Sequence, residues 1–464
     1  MNEHPTTEAA ALPRTTSTLK SLIIRLHGYI GLLVGPFILF AALTGTLYAL
    51  TPALEQAIYQ EALATDSAES GTAPASLVQQ IAAARTYLDA DLAVSAVRPA
   101  PEPGATTRVM FADPSLDPGE HRAIFIDPES LAVRGDLTVY GTSGVLPLRR
   151  FIDHLHRNLM QGDIGRLYSE LAASWLWLAA LGGLAIWAFS ATPKVDARKK
   201  TRTAQRLRTR RRHSLLGLTL LVGLLALSAT GMTWSKWAGA NFFTLLKAGG
   251  WGTPRVSLEL GESVAADPHA EHQASHSQQA PLETDDIDRV LAVARQAGLD
   301  AGKIELRVPG PGQAWKVREI DRGWPSQVDE VAIHPQGLEV LERVRFEDYP
   351  LPAKLTRWGI DAHMGVLFGL PNQLLLAGLG IGIIVMVSWG YMMWWRRRQP
   401  GNGQALWPLL RRLPPATLTG LGVIALGLGI AMPVMGVSLV VLLAIDGLRR
   451  DKRMPASEAA SGSR

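Results

Sequence analysis

Residues Arg25 to Tyr48 read RLHGYIGLLVGPFILFAALTGTLY, an apolar run with one histidine, His27, at its entrance. The pattern returns from Arg211 to Trp234 as RRHSLLGLTLLVGLLALSATGMTW, with His213 in the same place. In both copies arginine precedes the histidine and a Gly-Leu pair follows it (Gly31-Leu32, Gly217-Leu218). Thr-Gly then comes 17 residues after the histidine in each copy, at Thr44-Gly45 and Thr230-Gly231. Each stretch is long enough to cross a bilayer. Two membrane helices carrying one histidine each, at one depth, make a ligand pair for a flat cofactor.

Working outward, further apolar runs lie at about 171–192 and 373–395, and a fifth at about 416–447 interrupted by Pro433. With 464 residues and 47% hydrophobic content, membrane spans must alternate with soluble segments. The polar stretch before the first span and the length of that span argue for an uncleaved anchor rather than a signal peptide.

The net charge of +5 is unevenly spread. Ten Lys and Arg residues crowd 193–213 against Asp196 alone, and Arg396, Arg397 and Arg398 follow the fourth span. By the positive-inside rule this loop and the N-terminus are cytoplasmic, and the long segments 51–150 and 236–357 face outward. Topology accounts for the basic loop, so no nucleic-acid partner is expected. The chain has no cysteine, which excludes a disulfide scaffold, a thiolate metal site and an iron–sulfur cluster.

The expected domains follow. A disordered N-terminus covers 1–20, the first span 21–50 and a first outward α+β domain 51–150. An outer histidine helix and second span cover 151–192, the basic loop 193–213 and the third span 214–235. A second outward α+β domain covers 236–357, and an outer histidine helix and fourth span 358–395. A cytoplasmic loop (396–415), an apolar hairpin or fifth span (416–447) and a tail (448–464) close the chain. Within the outward segments, helical spacing marks 76–88 and 285–297. Strand-like runs fall at 93–99, 108–113 and 122–128, and again at 303–309, 314–320, 329–335 and 338–346. The fold class is thus an α-helical membrane bundle of four core spans in two parallel repeats, with two small α+β domains and a C-terminal apolar hairpin.

A second histidine pair precedes the second and fourth spans. RFIDHLHRNLMQGDIG aligns with RWGIDAHMGVLFGLPN, setting His156 on His363. Glycines that follow break the chain there, so each histidine sits on a short helix ahead of the span proper. Topology places His27 and His213 at the cytoplasmic end and His156 and His363 at the outer end. Imidazole is a strong axial ligand for haem iron, and two such pairs would hold two b-type haems. Gly28, Gly31, Gly35, Gly217 and Gly223 leave room for a porphyrin or for close helix packing. The bland alternative is that the histidines are polar anchors at the interface. His154 is an alternative ligand to His156, a propionate partner or a solvated group. The insertion at 262–281 carries His269, His272 and His276, spaced for loose metal capture but set in a Gln/Ser/Ala context that reads as flexible. Trp234, Trp237, Trp394 and Trp395 read as an aromatic belt.

The segments LHGYIGLLVGP, ALTGTLY, DHLHRNLMQGDIGRLY, GIDAHMGVLFGLPNQLLL and MPVMGVSLVVLLAID resemble the PepSY-associated transmembrane helix family, from about 20 to 448. The resemblance implies two PepSY domains facing the periplasm from a bacterial inner membrane. It implies two haem b groups, held by His27 with His213 and by His156 with His363. It also implies a reductase that passes electrons outward to a ferric siderophore or other ferric chelate. No flavin or nicotinamide fingerprint is visible, so the electron donor would be membrane quinol or a separate reductase. Two other readings stay open. One is a non-enzymatic PepSY protein that binds or regulates a partner; the other is a transporter of iron, haem or chelates.

Overall fold

A computed structural model describes residues 14–65, 73–88, 91–141, 143–190, 201–260, 284–396 and 405–451. The His-rich insertion with His269, His272 and His276 lies outside them. The described helices and strands are, in chain order, α1 (Arg14–Tyr29), a π-turn (Ile30–Val34), α2 (Gly35–Ile58), α3 (Gln60–Leu63), α4 (Leu77–Leu88), β1 (Val94–Arg98), β2 (Thr107–Phe111), β3 (Glu120–Ile126) and β4 (Val133–Tyr140). Then come α5 (Pro147–Asn158), α6 (Gly162–Phe189), α7 (Arg202–Thr233), α8 (Trp237–Ala248), α9 (Ile287–Gln296), β5 (Ile304–Arg307), β6 (Trp315–Glu319), β7 (Glu330–Ile333) and β8 (Val340–Val344). The chain closes with α10 (Leu351–His363), α11 (Leu370–Trp395), α12 (Leu406–Leu410), α13 (Pro415–Ala431) and α14 (Pro433–Asp451).

Four helices among the described residues are long and apolar enough to cross a membrane: Thr16–Ile58, Gly162–Phe189, Arg202–Thr233 and Leu370–Trp395. Chain contacts divide the molecule into two units, a helical one (Met1–Leu43, His156–Thr244, Gly378–Arg464) and a sheet-bearing one (Thr44–Leu155, Leu245–Ala377).

In the helical unit, Ile30, Val34, Ile38, Trp175, Leu224 and Ile383 form the centre of an apolar core. Glycines let helices approach closely: a Cβ at Gly223 would stand 2.4 Å from Leu379, and one at Gly382 would stand 2.6 Å from Leu220. The first membrane helix is not uniform. Pro36 has no N–H to donate to the carbonyl of Leu32, four residues back, and its ring would crowd that oxygen. The helix widens into the π-turn at this point, and the Tyr391 hydroxyl donates to the Leu32 carbonyl at 2.8 Å. Within the sheet-bearing unit Pro52 is accommodated similarly, the Thr51 hydroxyl donating to the Tyr48 carbonyl at 2.6 Å.

The C-terminal apolar region forms two helices, α13 and α14, that break at Met432 ahead of Pro433. They pass so closely that a Cβ at Gly436 would lie 2.7 Å from the Cα of Gly429. Trp175 donates its indole N–H to Ser438 at 2.8 Å. Asp446, only 3% exposed, accepts from the Tyr29 hydroxyl and from the backbone N–H of Leu406. Glu170 is fully buried and accepts the N–H groups of Trp237 and Ala238, a carboxylate cap on α8.

In the sheet-bearing unit the two α+β segments share one antiparallel eight-stranded sheet, ordered β4-β3-β2-β1-β5-β6-β7-β8. The halves meet edge to edge at β1 and β5, with Ala96 opposite Arg307 and Val97 opposite Leu306. Strand alternation turns Val97, Val109, Ile124, Leu306, Val317 and Val331 to one face, where they form a core with α4 and α9. β4 is a strand that hydrophobic runs alone did not reveal.

Candidate functional site

His27 and His213 come together inside the helical unit, their ring centroids 6.4 Å apart and their planes at 81°. Each is oriented by a backbone carbonyl: Nδ1 of His27 lies 3.0 Å from the Ala179 oxygen, and Nδ1 of His213 lies 3.0 Å from that of Met386. A carbonyl only accepts, so each Nδ1 carries the proton and each Nε2 keeps a lone pair. That is the tautomer a metal-ligating imidazole needs, fixed from behind as ligating histidines are. Ala179 lies 23 residues after His156, and Met386 lies 23 after His363, so the repeat carries the acceptor along with the histidine.

The spacing suits one metal between the rings. Metal–imidazole bonds of about 2 Å put the centres of two trans rings roughly 6 Å apart. Among the described residues no three His, Cys, Asp or Glu side chains gather as a metal cage. Gly31 and Gly217, each four residues after its histidine, share its helix face. A Cβ at Gly28 or Gly31 would meet nothing within 4 Å. By contrast, Gly35 packs on Tyr391, Gly223 on Leu379, and Gly217 touches Met386. Gly182 and Gly183 face the His27 ring itself. The site thus separates glycines that leave space from glycines that serve packing, a distinction the sequence does not make.

His156 lies in the last turn of α5. Its carbonyl accepts from the Tyr168 hydroxyl, and Ser169 donates to the Arg157 carbonyl at 2.7 Å. The chain reverses through positive φ at Leu159, Met160 and Gly162. Gly165 then runs so close that a Cβ there would fall 1.6 Å from the Asn158 oxygen. Only glycine permits this seating of α5 on α6.

His363 ends α10. Two residues earlier, the fully buried Asp361 is gripped by Arg322 at 2.8 Å and Arg357 at 2.9 Å. Asn372 donates to the Ala362 carbonyl at 2.9 Å, and Gly365 and Gly369 take positive φ. His156 belongs to the helical unit and His363 to the sheet-bearing unit. His154 stacks edge-on against Tyr140, with centroids 5.0 Å apart. Residue types alone pointed to none of the oriented carbonyls, the Asp361 clamp or Tyr391. Equal spacing within the repeat was the one signal available for Ala179 and Met386.

Four membrane-length helices in one chain with an α+β sheet define a helical membrane protein that also carries a sheet-bearing unit. The chain belongs to the family of the PepSY-associated TM region, whose model matches residues 24–397. No curated protein matches the chain.

Proposed function

We propose that this protein is a di-haem b reductase of a bacterial inner membrane, moving electrons from the cytoplasmic side to a ferric chelate in the periplasm. The observation that carries this reading is the His27–His213 pair, with rings 6.4 Å apart and both Nδ1 atoms turned to carbonyls. When bound, haem supplies a one-electron ferric/ferrous couple. His27 and His213 would hold one group, and His156 and His363 the other. Ala179 and Met386 keep the first pair's Nε2 atoms in ligating form. Gly28 and Gly31 leave open space beside His27. Tyr168 and Gly165 seat His156, while Asp361 with its two arginines seats the end of α10 that carries His363.

The donor is membrane quinol or a separate reductase, and each ferric ion accepts one electron. Ferrous iron is the poorer partner for hard oxygen chelators and is then released. The charge asymmetry of the flanking loops supports a periplasmic sheet.

The test is a reduced-minus-oxidised absorption spectrum of the purified protein, with haem-to-protein stoichiometry. The expected result is two b-type haems per chain, reoxidised on adding a ferric chelate. A protein purified from haem-replete cells without a haem spectrum would overturn the proposal and leave a non-enzymatic PepSY protein.

A further inference from the structure

The face of the sheet opposite the α4/α9 core is charged at its centre, and the strand register dictates how. Across β2, β1, β5, β6 and β7, one row reads Arg108, Arg98, Glu305, Arg318, Glu330. In the next row Arg307 of β5 stands directly opposite Lys316 of β6. Arg98 and Arg108 are likewise direct cross-strand partners. Like charges in directly opposed positions destabilise a sheet, and this sheet does it twice, side by side.

The carboxylates present do not cancel the charge. Glu305 takes Arg98 and Arg318, both at 2.6 Å. Burial pushes the Glu305 carboxyl up, but Arg318 and Arg98 outweigh it and hold the pKa well below the usual range. Glu330 takes Lys316 at 2.8 Å. Arg108 has Gly144's carbonyl at 3.2 Å, the Phe125 ring and the more distant field of Glu55; burial drives its pKa down to about 10, with Arg98 adding to the fall. With Glu342 of β8, which stands in the row of Arg307 and Lys316 and accepts the Ser257 N–H, five cations face four carboxylates. Arg307 has no ion-pair partner within 4 Å among the described residues. It is open to solvent, yet burial is the largest influence on its guanidinium and lowers its pKa. Holding such a surplus in place costs stability unless an anion joins it.

We infer that this basic face of the sheet, centred on Arg307 and Lys316, is an anion-binding site that selects ferric chelates with carboxylate groups and net negative charge over cationic ones. The anion site rests on the sheet alone; its use for ferric chelates rests on the proposed reductase function. Arginine and lysine side by side present several donors to carboxylate oxygens, and a cationic chelate would meet repulsion here.

The test uses gallium(III) citrate, which is not reduced under these conditions, titrated calorimetrically into the full-length protein in detergent at low ionic strength. Saturable binding is expected, weakened about tenfold in Arg307→Gln by loss of one charge-assisted contact and weakened also by added salt. Arg343→Gln, the same charge change on β8 away from these rows, should leave the affinity unchanged. A cationic gallium trihydroxamate should not bind. No saturable binding, equal affinity for the two chelates, or an Arg307→Gln protein of unchanged melting temperature and affinity would each overturn the inference. A haem spectrum on the same preparation separates the two ideas. Citrate binding without haem sinks the reductase alone, and haem without citrate binding sinks this site alone.

Discussion

The two halves of the chain solve one problem twice, and they differ in how the solution is braced. Each half points one histidine at a carbonyl of its own following span, Ala179 in the first and Met386 in the second, both at 3.0 Å. The surroundings diverge. The first half carries a proline-driven π-turn three residues after its histidine, whereas α7 runs unbroken past His213. At the second histidine, the alignment that sets His156 on His363 sets His154 on Asp361 and Gly165 on Asn372. One half brings its short helix into direct contact through a glycine; the other bridges the gap with an amide and an ion-pair clamp. The histidines and their carbonyl acceptors are repeated, while the side chains that brace them differ.

That contrast can be broken by experiment. The largest effect belongs to the repeated residues: His27→Ala or His213→Ala should halve the haem content, and His156→Ala or His363→Ala should remove the other half, read by pyridine haemochrome assay. If all four variants keep full haem, the repeat does not mark ligands. Next comes the bracing that differs. Asp361→Ala leaves Arg322 and Arg357 facing each other and should cost about 4 kcal/mol, whereas His154→Ala at the aligned position should cost under about 1 kcal/mol. Melting temperatures in detergent compare the two, and equal losses would mean the clamp is not specific to the second half. Gly165→Ala should cost about 3 kcal/mol by overpacking, while Asn372→Ala, losing one hydrogen bond, should cost about 1 kcal/mol. The smallest effect should come from Tyr391→Phe. It leaves the Leu32 carbonyl without its donor, for about 1 kcal/mol, and faster hydrogen exchange around the π-turn than around the matching turn of α7 would report it.

Much of the framework was legible because its signal is local. Four long apolar runs can only be membrane-length helices, and the Arg-His to Thr-Gly spacing exposes the duplication without any structure. The glycine breaks after His156 and His363 are equally local. β4 was hidden because Gly135 and Asp136 interrupt its alternation, and because its residues are half-buried rather than apolar. The duplication itself could have found it, since the second half's strand at 338–346 needs a counterpart. The charged rows were hidden for another reason. Each strand taken singly reads as an ordinary mixture of apolar and polar positions; pairing β5 with β6 stacks Arg307 beside Lys316, and only pairing β1 with β5, some 200 residues apart, sets Arg98 beside Glu305. Carbonyl partners are likewise a product of helix packing, which no residue type announces.

The seam between β1 and β5 has a further consequence. Leading strands of the two repeats lie antiparallel at the middle of the sheet, the arrangement two copies of a half-length chain would adopt about a twofold axis. Such a homodimer would close the sheet and supply one imidazole from each subunit to the His27–His213 position. Held in one chain, the two copies need not match position for position, as the Asp361 clamp of one repeat and the π-turn of the other illustrate.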